Sequence, residues 1–247
     1  MQKVHIAPLW SVVVGTAGLA AIGWLSALSL AGWCAGLFYL VGSNALLTSA
    51  LRRHETLRFG PANAATAVRS TLVGLITGLV ATSFTGPISV PLLIGLTVPA
   101  LALDAVDGWI ARRTHSITEL GARFDMEVDA FLLLVLSAYV SQDLGWWAIL
   151  IGVLRYAFVA AGWVLPWMTA TLPPRYWRKV VTAAAGIGLT IAASAVAPRW
   201  VGLLATFLAL SLLIESFGRD VLWLLRRRPP ASTGASSEAA GTASVRR

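Results

Sequence analysis

The sequence predicts an all-α, polytopic transmembrane helix bundle of about eight spans, and three observations carry that expectation. Of the 247 residues, 57% are hydrophobic and only 12% charged, with a mean hydropathy of +0.76, a composition outside the range of water-soluble domains. The apolar runs are long and continuous, not alternating. In lipid every backbone polar group needs an internal partner, so such runs read as helices and exclude a barrel. The charges, finally, collect at the ends of these runs.

A helical span takes about 20 apolar residues. Residues 8–50 carry no charge and suffice for a hairpin of two spans turning near Ser29 to Trp33. The polar stretch LRRHETLRFGPANAATAVRS follows. Span three runs from about Arg69 to Phe84 and ends before Pro87; span four covers Val90 to Arg112. Span five covers Arg123 to Ser141, and the QDLG turn leads to span six, Trp146 to Met168. After the loop TLPPRYWRK come spans seven, Val180 to Ala197, and eight, Val201 to Leu225, parted at Ala197-Pro198-Arg199. Three parts are expected: a hairpin with its basic linker (1–58), a six-helix core (59–228), and a tail (229–247) too poor in apolar residues to fold. A signal peptide is the lesser reading of the first run, which exceeds an h-region and has no clean small-residue cleavage site.

With alternating helices, one side of the bundle receives Lys3, Arg52, Arg53, Arg58, Arg112, Arg113, Arg123, Arg175, Arg178, Lys179 and Arg226 to Arg228, and the other only Arg199. Short cytoplasmic loops carry the excess of Lys and Arg, so both termini are expected in the cytoplasm, at the cell (inner) membrane. Trp10, Trp33, Trp146, Trp147, Trp177, Trp200 and Trp223 lie near span ends, where amphipathic rings favour the interface. The net charge of +8 does not imply nucleic acid, because the cations form no aromatic-interleaved groove. The single cysteine, Cys34, excludes an intramolecular disulfide.

Six of the 11 acidic residues fall between positions 104 and 129, in DAVDGWIARRTHSITELGARFDMEVD. Asp104 and Asp107 share one helical face by their three-residue spacing, and Asp125 and Asp129 share another by their four-residue spacing. A short loop between antiparallel spans sets the two pairs opposite each other. Ionised carboxylates at this depth cost at least about 2.5 to 3.5 kcal/mol each, so a positive partner is required. Hard oxygens without His or Cys point to Mg²⁺ or Mn²⁺. Ion pairing with Arg112, Arg113 and Arg123 is the bland alternative. Gly108 leaves the backbone open to a ligand, Ala111 keeps the same face small, and Arg112 offers a bidentate fork to phosphate. Together these suggest a diphosphate.

This pattern resembles the CDP-alcohol phosphotransferase (CDP-alcohol phosphatidyltransferase) family motif, D-x-x-D-G-x-x-A-R followed by G-x-x-x-D-x-x-x-D. Asp104, Asp107, Gly108, Ala111, Arg112, Gly121, Asp125 and Asp129 fill its fixed positions. PANAATAVR, through Asn63, Thr66 and Arg69, is similar to the start of the family's first core helix, and the resemblance spans about Pro61 to Leu225. It implies transfer of a phosphoalcohol from a CDP-linked donor, here CDP-diacylglycerol, to the hydroxyl of a small alcohol, with release of CMP. It further implies two divalent metals held by Asp104, Asp107, Asp125 and Asp129, with Asp129 the general base. Asp107, Gly108, Ala111, Arg112, Gly121 and Asp125 would form the CDP site.

Arg155, near the middle of span six, is expected either to contact an acceptor phosphate or to pair with Asp107 or Asp129. Arg175, Arg178 and Lys179 serve either topology or an anion site for a phosphorylated acceptor. Glu127 points away from the Asp125 and Asp129 face, Gly74 and Gly78 form a helix-packing G-x-x-x-G, and Glu215 is placed to pair with Arg219. The separated His5, His54 and His115 make a zinc site improbable. Intramembrane carboxylates also suit a divalent-cation transporter, although no inverted repeat is visible. The hairpin has no expected role beyond packing, dimerisation or anchoring.

Overall fold

The computed structural model describes residues 6–53, 61–114, 119–169 and 176–227. Among them are eight α-helices and no strand: α1 (Ile6–Ser26), α2 (Leu30–Arg53), α3 (Pro61–Ser83), α4 (Val90–Thr114), α5 (Glu119–Leu144), α6 (Leu150–Val164), α7 (Tyr176–Ser194) and α8 (Arg199–Arg226). Four stretches, Leu30–Ser49, Ala65–Ser83, Trp146–Val164 and Arg199–Arg226, are long and apolar enough to cross a membrane, and Ser11–Ser26 and Val90–Val106 are shorter apolar helices. The expected count of eight spans therefore remains a proposal. The linker from 54 to 58 and the tail from 229 lie outside the described residues.

The expected spans differ from the helices chiefly at their ends. α3 begins at Pro61, two turns before Arg69, because proline's fixed φ and missing N–H suit the first helical position. α5 starts at Glu119 and not at Arg123. The expected sixth span is broken into short 3₁₀ turns at Trp146–Ile149 and Pro166–Thr169 flanking α6. Gly145, at φ 108°, makes the bend out of α5, a conformation that a Cβ would disfavour. Pro166 sits where α6 stops, since it cannot continue an intrahelical ladder.

α3 is the axis of the bundle. In its apolar window 67% is buried, against 17% in the window containing α6. On one side it packs on α4 and α5, in a cluster of Val73, Ile76, Val80, Leu93, Leu132 and Leu136 that continues to Leu189 of α7. On the other it meets the α1–α2 hairpin through Leu19, Ile22, Leu40, Leu75 and Leu79. The hairpin contact is close because Gly32 and Gly36 of α2 face Gly74 and Gly78 of α3. A Cβ at Gly32 would lie 2.6 Å from the Gly78 carbonyl oxygen, and one at Gly36 3.2 Å from that of Gly74. The G-x-x-x-G of α3 thus does pack a helix, and the helix is α2. The turn between α1 and α2 is tied to the same surface, with the Ser29 amide donating to Thr82 Oγ1 at 3.2 Å.

Side-chain bonds also lock the end of the bundle where α3 and α5 terminate. Gln142 donates to Ser83 Oγ at 2.8 Å, and Arg199 at the start of α8 donates to the Asp143 carbonyl at 2.6 Å. The opposite end, where α4 finishes and α5 begins, carries the acidic residues.

Candidate metal and diphosphate centre

Asp104 lies three turns from the end of α4, and Asp125 and Asp129 lie in the second and third turns of α5. The antiparallel pairing brings them together: one carboxylate oxygen from each lies within 4.8 Å of the others. Arg69 of α3 reaches into their midst. Its Nη1 is 2.7 Å from Asp104 Oδ1, and its Nη2 contacts Asp125 Oδ1 and lies 3.1 Å from Asp129 Oδ1. Nη2 also donates to the Asp125 backbone carbonyl at 3.4 Å. The Arg69 side chain is fully buried, while Asp104, Asp125 and Asp129 keep 39%, 30% and 24% of their side-chain surface exposed.

These numbers give the cluster its chemistry. A buried guanidinium is tolerable only when paired, and here it is held by several carboxylates at once. Three carboxylates face the one Arg69 guanidinium, so Arg69 by itself leaves a formal excess of two negative charges among these four residues. An ionised carboxylate has two oxygens and about four lone-pair sites, so contact with Arg69 leaves each aspartate able to accept a further ligand from its exposed side. An all-carboxylate donor set, without thiolate or imidazole, fits a hard divalent cation such as Mg²⁺ or Mn²⁺.

Asp107, Gly108, Ala111 and Arg112 occupy the last turns of α4; their side chains lie outside the described residues, as does Arg175 altogether. Gly121 is half-buried in the first turn of α5. Lys179 is exposed near the start of α7. Among the described residues Arg155 pairs with Glu127 and not with Asp129: its Nη2 lies 2.5 Å from Glu127 Oε1. The reason is rotational, since Glu127 sits two residues from both Asp125 and Asp129 and so faces across the helix from them, toward α6. Glu215 pairs with Arg219 as expected and accepts a bond from Trp177 Nε1 at 3.0 Å.

Sequence reasoning gave Asp220 no role and named Arg69 only as part of the stretch resembling the family's first core helix. Asp220 of α8 is buried, with its Oδ2 3.7 Å from Arg178 Nη1. Arg69 was placed at the mouth of a span and so read as part of a helix start. The available signal was its position as a lone charge beside a long apolar run, which inside a bundle marks a functional group.

A bundle of apolar helices presenting clustered carboxylates at one end defines the class, a helical membrane protein with an acidic centre suited to divalent cations. The CDP-alcohol phosphatidyltransferase family model matches residues 59–214. The chain belongs to that family, which makes it a membrane transferase of phospholipid synthesis. No curated protein and no solved structure matches it.

Proposed function

We propose that the protein transfers a phosphatidyl group from CDP-diacylglycerol to the hydroxyl of a small alcohol, releasing CMP, with its site open to the cytoplasm. The convergence of Asp104, Asp125 and Asp129 on one point carries this reading. Asp104, Asp107, Asp125 and Asp129 would hold two divalent cations, which neutralise a diphosphate and stabilise a departing phosphate when bound. Gly108, Ala111 and Gly121 would leave room for the CDP moiety, and Arg112 would clamp its phosphates. Arg69, from α3, keeps the carboxylates of α4 and α5 turned to one centre.

In the reaction, the acceptor oxygen attacks the phosphorus that bears the diacylglycerol. The bond from that phosphorus to the bridging oxygen breaks, and CMP departs with the electron pair. The acceptor's proton passes to Asp129, which retains exposed surface for the approach. Lys179 and Arg175 are suited to a phosphorylated acceptor; Arg155 would serve one only by releasing Glu127. The organisation proposed is a hairpin with linker (1–58), a catalytic core (59–228) and a cytoplasmic tail (229–247), eight spans in all.

The test is incubation of purified protein with radiolabelled CDP-diacylglycerol, Mn²⁺ and a panel of alcohols, followed by resolution of the lipid products. One labelled phospholipid should appear with stoichiometric CMP, and only with its alcohol present. Absence of product with every alcohol, together with Mn²⁺ flux into vesicles lacking CDP-lipid, would favour a transporter instead.

A further inference from the structure

The α1–α2 hairpin lies outside the residues matched to the family, yet one of its side chains reaches the wall of the acidic centre. Tyr39 of α2 sits between α3 and α5. Its ring stacks on Phe131 of α5, with centroids 4.5 Å apart and planes inclined by 23°. Its hydroxyl lies 3.4 Å from Ser70 Oγ on α3. Ser70 and Gly74 are one turn apart on α3, and the absent side chain of Gly74 makes room for the ring: a Cβ there would lie 3.3 Å from Tyr39 Cδ1 and 2.6 Å from Leu40 Cδ2. Ser70 is the neighbour of Arg69, and Phe131 follows Asp129 by two residues.

We propose that Tyr39 is a positioning residue, a clasp from the hairpin that fixes α3 against α5 and so holds Arg69 in register with Asp125 and Asp129. The hairpin is then part of the site's machinery and not only an anchor. The ring supplies most of the effect, because 3.4 Å is long for a hydroxyl–hydroxyl bond whereas the stack and the Gly74 recess enclose the ring on two sides. The inference rests on the proposed metal-dependent transfer for its catalytic meaning, but the geometry it asserts can be read from cation binding alone.

The experiment compares full-length wild type with Tyr39→Phe, Tyr39→Leu and Leu19→Ala in nanodiscs. Leu19 is fully buried in the same hairpin contact but packs toward Gly36 and Gly78, away from the acidic residues. Four quantities are measured: Tm, Mn²⁺ affinity by electron paramagnetic resonance, and kcat and KM for CMP release. Misplacement of reacting groups by about 1 Å can cost on the order of 100-fold. Tyr39→Leu should therefore lose about 10- to 100-fold in kcat and weaken Mn²⁺ binding, with KM for the CDP-lipid little changed. Tyr39→Phe should stay within about threefold of wild type, the hydroxyl contact being weak. Leu19→Ala should lower Tm at least as much as Tyr39→Leu while keeping wild-type Mn²⁺ affinity. Wild-type Mn²⁺ affinity in Tyr39→Leu, or an equal loss in Leu19→Ala, would overturn the proposal. If the wild type itself releases no CMP, the transfer reading fails, and the Mn²⁺ comparison still decides the role of Tyr39.

Discussion

Replacing Arg69 by methionine roughly keeps the volume and removes the cation that pairs, among the described residues, with Asp104, Asp125 and Asp129. The carboxylate oxygens lie within 4.8 Å of one another, and at such spacing two like charges repel by about 3 to 4 kcal/mol at an effective dielectric near 20. Side-chain exposures of 24–39% allow water to screen part of this. Breaking a buried ion pair by removing one partner costs about 3 to 5 kcal/mol, and the screening favours the lower end. For a chain of this size each kcal/mol moves Tm by about 2 to 4 °C, so Arg69→Met should lose about 6 to 12 °C in EDTA. A divalent cation would replace the missing charge. At roughly one hundred times its Kd for the variant, Mn²⁺ returns about 2.7 kcal/mol, so adding it should recover part of the Tm lost in EDTA. Thermal unfolding in detergent with EDTA or Mn²⁺ checks this. A Tm loss that Mn²⁺ leaves untouched, or no loss in EDTA, would refute the view that Arg69 serves as the counter-charge of a cation-binding cluster.

Three further outcomes are expected. Gly32→Val forces α2 away from Gly78 and Thr82 of α3 and should cost about 1 to 3 kcal/mol as overpacking, read as a lower Tm. Arg199→Ala removes a pair to Asp143 whose side chains are 66% and 70% exposed; stability should change by no more than about 1 kcal/mol, with CMP release unchanged. Lys179→Ala should raise KM for a phosphorylated acceptor several-fold while kcat holds, the pattern expected when a binding contact common to ground and transition states is lost; steady-state kinetics would show it.

The helical class and the position of most helices were legible because continuous apolar runs bounded by charge admit few other readings. The bringing together of Asp104, Asp125 and Asp129 was legible too, since three- and four-residue spacings on antiparallel helices leave little choice of direction. What the chain did not disclose was long-range. Arg69 lies 35 residues from Asp104 and 56 from Asp125, and only the early start of α3 at Pro61 puts it inside the bundle. The depth of Arg155 suited an acceptor phosphate as well as Asp107 or Asp129; the rotation of α5, which turns Glu127 toward α6, gives it the partner seen among the described residues. The contact of Tyr39 with Ser70 and Phe131 depends on how closely α2 approaches α3, and that approach is set by four glycines whose pairing across helices no local periodicity reveals.

The most direct measurement is CMP release from CDP-diacylglycerol by membranes containing wild type, Asp125→Asn or Asp129→Asn, titrated with Mn²⁺. Removing a positioned general base typically costs about 10² to 10⁴ in rate, and losing a carboxylate ligand should abolish the Mn²⁺ dependence. Wild type should show Mn²⁺-dependent release, and neither variant should release CMP above background. Wild-type turnover in both variants would contradict the assignment of the acidic cluster as the reaction centre.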